Sequence, residues 1–170
     1  WLIEVLADGI GTLPTLVCIG PAHPDPDSVL LICKKRLPTA EVVVSPPSLV
    51  NLAARCHLAL SAGGITCYEL AAAGIALAVL AVEEHQVRLA EAMVGAGAAL
   101  SLGERDKIDK QSVRQTFASL QQPDSVASLR SAGRSLFPHS GTPAIVAELR
   151  ELLGSRNPSA HQWMGTTTTE

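Results

Sequence analysis

The chain has 170 residues, of which 47% are hydrophobic and 17% charged, and its formal net charge is −3. This length and hydrophobic content predict one domain with an aliphatic core and exclude disorder over most of the chain. The negative charge argues against a nucleic-acid binder, which needs clustered lysine and arginine side chains to neutralise phosphates.

The cysteines and the apolar runs indicate the kind of compartment. Cys18, Cys33, Cys56 and Cys67 lie in or beside apolar runs, and no two have CxxC spacing. We therefore expect buried free thiols in a reducing compartment, with no metal site and no cofactor. The longest uncharged apolar run, residues 70–82, is shorter than the ~20 residues that cross a bilayer. Since no secretory signal is visible, we expect a cytoplasmic protein without a transmembrane segment.

Short aliphatic runs alternate with helical periodicity along the chain. After an opening amphipathic segment, strands are predicted over 14–20, 41–45, 57–61, 75–82 and 98–102. Helices are predicted over about 27–36, 48–55, 66–73, 86–96, 111–120, 124–136 and 142–153, with Asp27 or Ser28 as the cap of the first. This alternation predicts an α/β fold with an open parallel Rossmann-like sheet and helices on both faces.

The predicted domain covers residues 1–153. Residues 154–170 are polar and include a run of four threonines, so we expect a disordered tail there. The chain starts with Trp1 inside the amphipathic segment. We therefore expect a part of a longer chain, with a processed start as the alternative.

Ligands of open parallel sheets bind beyond the carboxyl ends of the strands, which directs attention to the loops 20–23, 63–66 and 83–86. The strongest signal is AGGITCYE, residues 62–69, between a strand and a helix. Gly63 and Gly64 allow a ligand close to the backbone, and the helix N-terminus with the Thr66 hydroxyl suits a diphosphate. Glu69, one turn later, can accept hydrogen bonds from both hydroxyls of a ribose.

The same spacing has a purely structural interpretation. Thr66-x-x-Glu69 matches a capping box, in which Thr66 caps the helix and Glu69 bonds back to the first backbone N–H. Spacing alone does not separate capping from ligand binding. The motif is neither GxGxxG nor GxxxxGK[ST], so it supports neither an NAD site nor a P-loop.

A longer pattern spans residues 57–103: a strand, Gly-Gly-x-Thr-x-x-Glu, a short helix, a small-residue strand, an x-x-x-Gln loop and a helix ending in a Gly/Ala-rich turn. This pattern resembles the C-terminal domain of GT-B-type nucleotide-sugar enzymes. It is most similar to the UDP-sugar hydrolase of pseudaminic-acid biosynthesis and to spore-coat polysaccharide biosynthesis proteins. More remotely, it resembles the peptidoglycan-precursor N-acetylglucosaminyltransferase. The resemblance covers residues 14–153, and its central third is specific.

The resemblance implies the C-terminal half of a GT-B fold and a nucleoside-diphosphate sugar, with UDP as the expected nucleotide. The glycine loop and Thr66 would face the diphosphate, Glu69 the ribose, and Gln86 the phosphate or sugar. The segment 44–49 would lie beside the base, mainly through backbone contacts. The residues implied to bind the ligand are Gly63, Gly64, Thr66, Glu69, Gln86, His85 and Leu49.

Two histidines depart from the pattern of these relatives. His57 stands where they usually carry Asp, and His85 where they often carry Asn or Asp. His57 opens a strand, so we expect a structural role. His85 lies in the predicted ligand loop, where it can contact a phosphate or act as a general acid or base, or can be an ordinary exposed loop histidine. No other catalytic residue is identified.

Three functions follow. The first is the nucleotide-sugar half of a UDP-sugar hydrolase or glycosyltransferase in surface polysaccharide biosynthesis, inactive without its N-terminal domain because binding without aligned chemical groups gives no rate. The second is a stand-alone half-subunit that needs a partner chain for glycosyl transfer. The third is a non-enzymatic scaffold of the same fold. An apolar face toward the missing domain would also favour a homodimer.

Overall fold

The computed structural model describes residues 1–138 and 141–156, with the side chains of 154–156 excepted. The chain divides into two units, Trp1–Phe137 and Pro138–Glu170. The strands of the first unit are β1 (Leu16–Ile19), β2 (Glu41–Val44), β3 (Leu58–Ala62), β4 (Ala76–Ala81) and β5 (Leu100–Glu104). Its helices are α1 (Leu2–Ile10), α2 (Pro26–Arg36), α3 (Leu49–Ala53), α4 (Ile65–Ala72), α5 (Glu84–Gly95), α6 (Lys110–Leu120) and α7 (Pro123–Leu136).

All the strand pairs of the described chain are parallel. β1 pairs with β2, and β4 pairs with both β3 and β5, so the order of the larger sheet is β3-β4-β5. The predicted α/β class with a parallel sheet is confirmed. The expected single sheet is divided into two ladders, because apolar periodicity identifies a strand but does not specify its lateral partner.

The larger sheet is covered by helices on both faces. All six residues of β4 are buried, as its continuous aliphatic run predicts. Ala76, Ala78 and Leu80 belong to one apolar cluster, whereas Leu77 and Val79 belong to another, since alternate side chains of a strand point to opposite faces. The first cluster includes Leu6, Val113 and Phe117 from α1 and α6. The second includes Cys67, Leu70 and Met93 from α4 and α5.

The start of α2 differs from the prediction. The helix begins at Pro26, and Asp25 is its N-cap, with Asp25 Oδ1 accepting a hydrogen bond from Ser28 N at 3.0 Å. Neither Asp27 nor Ser28 caps it. The reason is Pro26: it lacks an N–H and its φ suits a helix, so it occupies the first helical position and makes its predecessor the cap.

β5 extends beyond its predicted end at Leu102. The register passes from Val79↔Ser101 to Leu80↔Gly103, so Leu102 is an extra residue in a bulge. Gly103 has φ +88°, and a Cβ there would collide with Cγ2 of Ile108. The glycine therefore lets the strand pass through the bulge to Glu104 instead of ending it.

The described part of the second unit is one helix, α8 (Gly141–Arg156), where 142–153 was predicted. Ile145 and Leu149 are more than half exposed on it. The predicted tail lies outside the described residues, apart from positions 154–156 at the end of α8. Within the described ranges, no helix has the length and apolarity needed to cross a membrane.

Candidate functional site

The glycine loop lies where β3 passes into α4. β3 ends at Ala62, and Gly64 is the N-cap of α4 in an extended conformation (φ −138°, ψ −167°). No side chain bonds to this helix end. The amides at the start of α4 therefore depend on backbone, solvent or a ligand for their hydrogen bonds.

The backbone bonds show which amides are engaged. Gly63 N donates to Leu80 O at 3.0 Å, and Gly64 N donates to Ala62 O at 2.9 Å. Within the described ranges, no hydrogen bond occupies the amides of Ile65 and Thr66. The two N–H groups open to an anion thus belong to the first two helical residues, and the glycines contribute space rather than donors.

The capping-box interpretation is wrong. Thr66 is the second residue of α4, and the cap position is held by Gly64 without any side-chain bond. The turn places Glu69 on the exposed face that carries Ile65, opposite the buried Cys67, because residues four apart in a helix are neighbours. Ile65 is 77% exposed and Thr66 is half-buried. The carboxylate of Glu69 is thus one turn from the two open amides and faces outward.

Gln86 connects this loop to the end of β4. Val82 N donates to Gln86 Oε1 at 2.9 Å, which closes the turn between β4 and α5. A Cβ built on Gly63 would lie 2.9 Å from Cβ and 3.2 Å from O of Gln86. The structure therefore brings Gly63 and Gln86 into direct contact, and this contact requires a glycine.

The acidic residues before Gln86 are exposed. Glu83 occupies the N-cap of α5, and Glu84 is its first residue. The bond to Glu104 and the charge of Glu84 raise the pKa of Lys107, whose Nζ lies 2.7 Å from Glu104 Oε2. Glu84 thus acts on a lysine of the β5–α6 segment and is exposed to solvent. Sequence patterns did not indicate Lys107, because the two elements are far apart in the chain.

His85 is exposed in the first turn of α5, next to Gln86. His57 is also exposed, and its backbone carbonyl accepts a bond from Ala76 N at 3.1 Å where β3 meets β4. The backbone of His57 thus has a structural role. The role of the His85 side chain at the site stays a prediction.

The segment expected beside the base follows β2. Ser45 has a left-handed φ of 50° and donates its N–H to Ile19 O at 2.8 Å. Ser48 caps α3 by accepting a hydrogen bond from Asn51 N, and Leu49 is the half-buried first residue of this helix. α3 packs beside α4, since Ala53 shares the apolar cluster of Cys67. This packing brings the helix of Leu49 next to the helix of Glu69.

The cysteines are free in the structure, but two are not buried. Cys33 and Cys67 are buried, Cys56 is partly buried and Cys18 is exposed. Cys18 is exposed because it lies on a strand of the small two-stranded ladder rather than in a sheet covered on both faces. Burial raises the pKa of the Cys67 thiol, so a nucleophilic role at the start of α4 is not supported.

Metal-binding groups and surface hollows are the other features that could indicate a site in the first unit. Within the described ranges, no three His, Cys, Asp or Glu side chains are grouped to hold a metal ion. A hollow of about 160 Å³ is lined by Trp1, Glu4, Val5, Lys110 and Arg114. It is open and lies away from the glycine loop, so it does not involve the predicted residues.

Comparisons with known proteins give relatives in sequence and in fold. No protein-family model matches the chain. The spore coat polysaccharide biosynthesis protein SpsG of Bacillus subtilis (strain 168) is 28% identical over 135 residues, which are 79% of this chain and 40% of that protein. MurG of Acinetobacter baumannii superposes with a TM-score of 0.62 at 18% identity, covering 79% of this chain and 40% of that structure. Spinosyn forosaminyltransferase SpnP gives 0.55 at 20% identity, covering 83% and 44%.

The fold is half of a GT-B fold. Both structural neighbours are GT-B glycosyltransferases, so the predicted half-fold is confirmed, in agreement with the expected resemblance to a spore-coat polysaccharide protein. The chain spans about 40% of the length of SpsG and of MurG. Identity at this level supports the GT-B half as an architecture, and what the half binds is a separate question.

Proposed function

We propose that this GT-B half binds a nucleoside-diphosphate sugar, with UDP as the nucleotide, at the carboxyl ends of β3 and β4. The observation that carries the proposal is the uncapped start of α4. Among the described residues, the amides of Ile65 and Thr66 have no hydrogen-bond acceptor, while Gly64 leaves nothing within 4 Å of its own Cβ position. A diphosphate would supply acceptors to these amides and negative charge to the positive end of the helix dipole.

The neighbouring residues support a complete nucleotide rather than an isolated anion. Glu69 presents a carboxylate one turn beyond the open amides, where it would accept hydrogen bonds from the ribose hydroxyls. Leu49 begins the helix beside α4, and the segment 44–49 would contact the base through its backbone. Gln86 and His85 lie at the start of α5, where the second phosphate or the sugar would be.

In the proposed reaction in polysaccharide biosynthesis, this half holds the nucleotide sugar. The remaining GT-B half binds the acceptor substrate and supplies the groups that perform hydrolysis or glycosyl transfer. The missing half would be an N-terminal domain of the same protein in the cytoplasm, and this half alone would be inactive because no catalytic group is aligned.

A thermal-shift titration with UDP tests the proposal. UDP at 100 times its Kd would stabilise the folded chain by about 2.7 kcal/mol and raise Tm. Glu69→Ala should abolish most of this rise, whereas Glu91→Ala, an exposed carboxylate on α5, should leave it unchanged. A chain whose Tm does not respond to UDP would contradict the proposal, and an equal response of Glu69→Ala would remove Glu69 from the site.

A further inference from the structure

Gln86, in the first turn of α5, contacts two loops of the first unit. Its side-chain oxygen accepts from Val82 N at 2.9 Å, which spans the turn from the end of β4 to the first turn of α5. Its backbone carbonyl and Cβ lie against Gly63, where even a methyl group would meet them at 3.2 and 2.9 Å. Gly63 in turn donates its N–H to Leu80 O. One residue therefore touches both loops that flank the proposed diphosphate position.

The hydrogen bond also fixes which way the side-chain amide points. A glutamine amide has one acceptor oxygen and one NH2 donor group. Because the partner is the N–H of Val82, the oxygen must face it, since the reverse orientation would set a donor against a donor. Within the described ranges, the NH2 group has no hydrogen-bond partner. Gln86 thus has two unpaired N–H donors for a ligand bound outside the turn, while one lone pair of Oε1 is taken by Val82 N–H.

From these contacts, we infer that Gln86 is a positioning residue that fixes the β4–α5 turn against the Gly63 loop and directs its NH2 group toward the ligand. This inference rests on the proposed function and deepens it. The ligand atom opposite the NH2 group is a phosphoryl oxygen, which accepts hydrogen bonds.

Two substitutions separate the oxygen from the NH2 group. Gln86→Glu keeps an acceptor for Val82 N–H but removes both donors and adds a negative charge. Gln86→Met keeps the length of the side chain and removes both functions. Gln115→Glu is the matched control, because Gln115 is exposed on α6 and its substitution adds the same charge away from the loops.

Amide hydrogen exchange tests the positioning role without any ligand. The Val82 amide should lose protection by about 3- to 15-fold in Gln86→Met, the range of one hydrogen bond, and keep it in Gln86→Glu. The Gly63 amide should follow Val82, because the two loops touch through Gln86. Unchanged protection of both amides in Gln86→Met would overturn the positioning role.

The affinities for UDP and for uridine test the contact between the Gln86 NH2 group and phosphate. Gln86→Glu should weaken UDP by about tenfold or more, because a donor is replaced by an anion beside phosphate, and leave uridine unaffected. Gln115→Glu should change neither. Wild-type affinity of Gln86→Glu for UDP would overturn the contact between the NH2 group and phosphate. If the unaltered chain does not bind UDP, the proposed function fails and this contact with it, while the exchange experiment still decides the positioning role.

Discussion

The thiol of Cys67 donates to the backbone carbonyl of Ala62, with Sγ 3.1 Å from O. This contact joins the first turn of α4 to the last residue of β3. The Cys67 side chain is fully buried, so this side of the first turn of α4 packs in the core, whereas the side that carries Ile65 is exposed. An anion site built on backbone amides depends on such a fixed helix end, because the donors must not move when the ligand binds.

The same burial predicts unequal reactivity of the thiols. Burial raises the pKa of Cys67, so less of the reactive thiolate forms, and the side chain is inaccessible. Iodoacetamide should alkylate the exposed Cys18 and leave Cys67 unmodified in the folded chain, as measured by peptide mass spectrometry. Partial desolvation and the charges of Cys56 and Glu41 raise the pKa of the exposed Cys18 too, so its alkylation rate should climb as the pH rises above neutrality.

Alkylation in denaturant is the control, since all four thiols should then react. Modification of Cys67 as fast as Cys18 in the folded chain would show that the start of α4 opens readily.

Gly63 and Gly64 should respond differently to the same change. Gly63→Ala places a methyl group 2.9 Å from Cβ of Gln86 and should lower the free energy of unfolding by about 1–3 kcal/mol, the cost of overpacking. Gly64→Ala meets nothing within 4 Å and should cost less, about 0.5–1 kcal/mol, because alanine is a poorer N-cap than glycine. Denaturant unfolding measures both values, and equal destabilisation of the two variants would be incompatible with this geometry.

The role of Glu69 can be measured as a ribose preference. If its carboxylate accepts from the ribose hydroxyls, UDP should bind more tightly than 2′-deoxy-UDP by about 10- to 150-fold, since a hydrogen bond to a charged group contributes about 1.5–3 kcal/mol. In Glu69→Ala the ratio of the two Kd values, measured by calorimetry, should approach one. A ratio that stays at its wild-type value would place the ribose elsewhere.

The cap of α2 makes a pH-dependent prediction. The hydrogen bonds from Ser28 hold the pKa of Asp25 below its usual range, with a smaller contribution from His23. A carboxyl whose pKa is lower in the folded state stabilises the fold above its unfolded pKa, and this stabilisation is lost as the pH falls through the folded pKa. Asp25→Ala should therefore lower Tm at neutral pH, with a difference that shrinks in strong acid.

Asp27→Ala is the comparison for this cap, because Asp27 lies in the first turn of α2 without capping it. A larger loss of Tm in Asp27→Ala than in Asp25→Ala would reverse the assignment.

Much of the fold could be predicted because local sequence patterns determine its helices and strands. The aliphatic runs locate all five strands of the described chain, and continuous burial of β4 follows from a run without polar residues. The start of α2 was also readable from Pro26, whose preference for the first helical position indicates Asp25 as the cap. The lateral pairing of the strands could not be predicted from the sequence, because it depends on contacts between distant segments.

The site was predictable only in outline. The Gly-Gly turn and the following helix indicate an anion site, but they do not show which amides are open. In the structure, the amides of Gly63 and Gly64 donate to the carbonyls of Leu80 and Ala62 and are therefore not open. Once Gly64 is known to be the cap, helix geometry alone assigns the open amides to Ile65 and Thr66. The contact between Gly63 and Gln86 joins loops 23 positions apart in the chain, and no local pattern encodes it.

The most direct test of the central claim is an amide NMR titration of the chain with UDP. A nucleotide held at the start of α4 should shift the backbone amide signals of Ile65 and Thr66 more than any others, because these two N–H groups would acquire hydrogen bonds to phosphate. Saturating UDP that leaves both signals in place, or binding that shifts only amides remote from α4, would contradict the account.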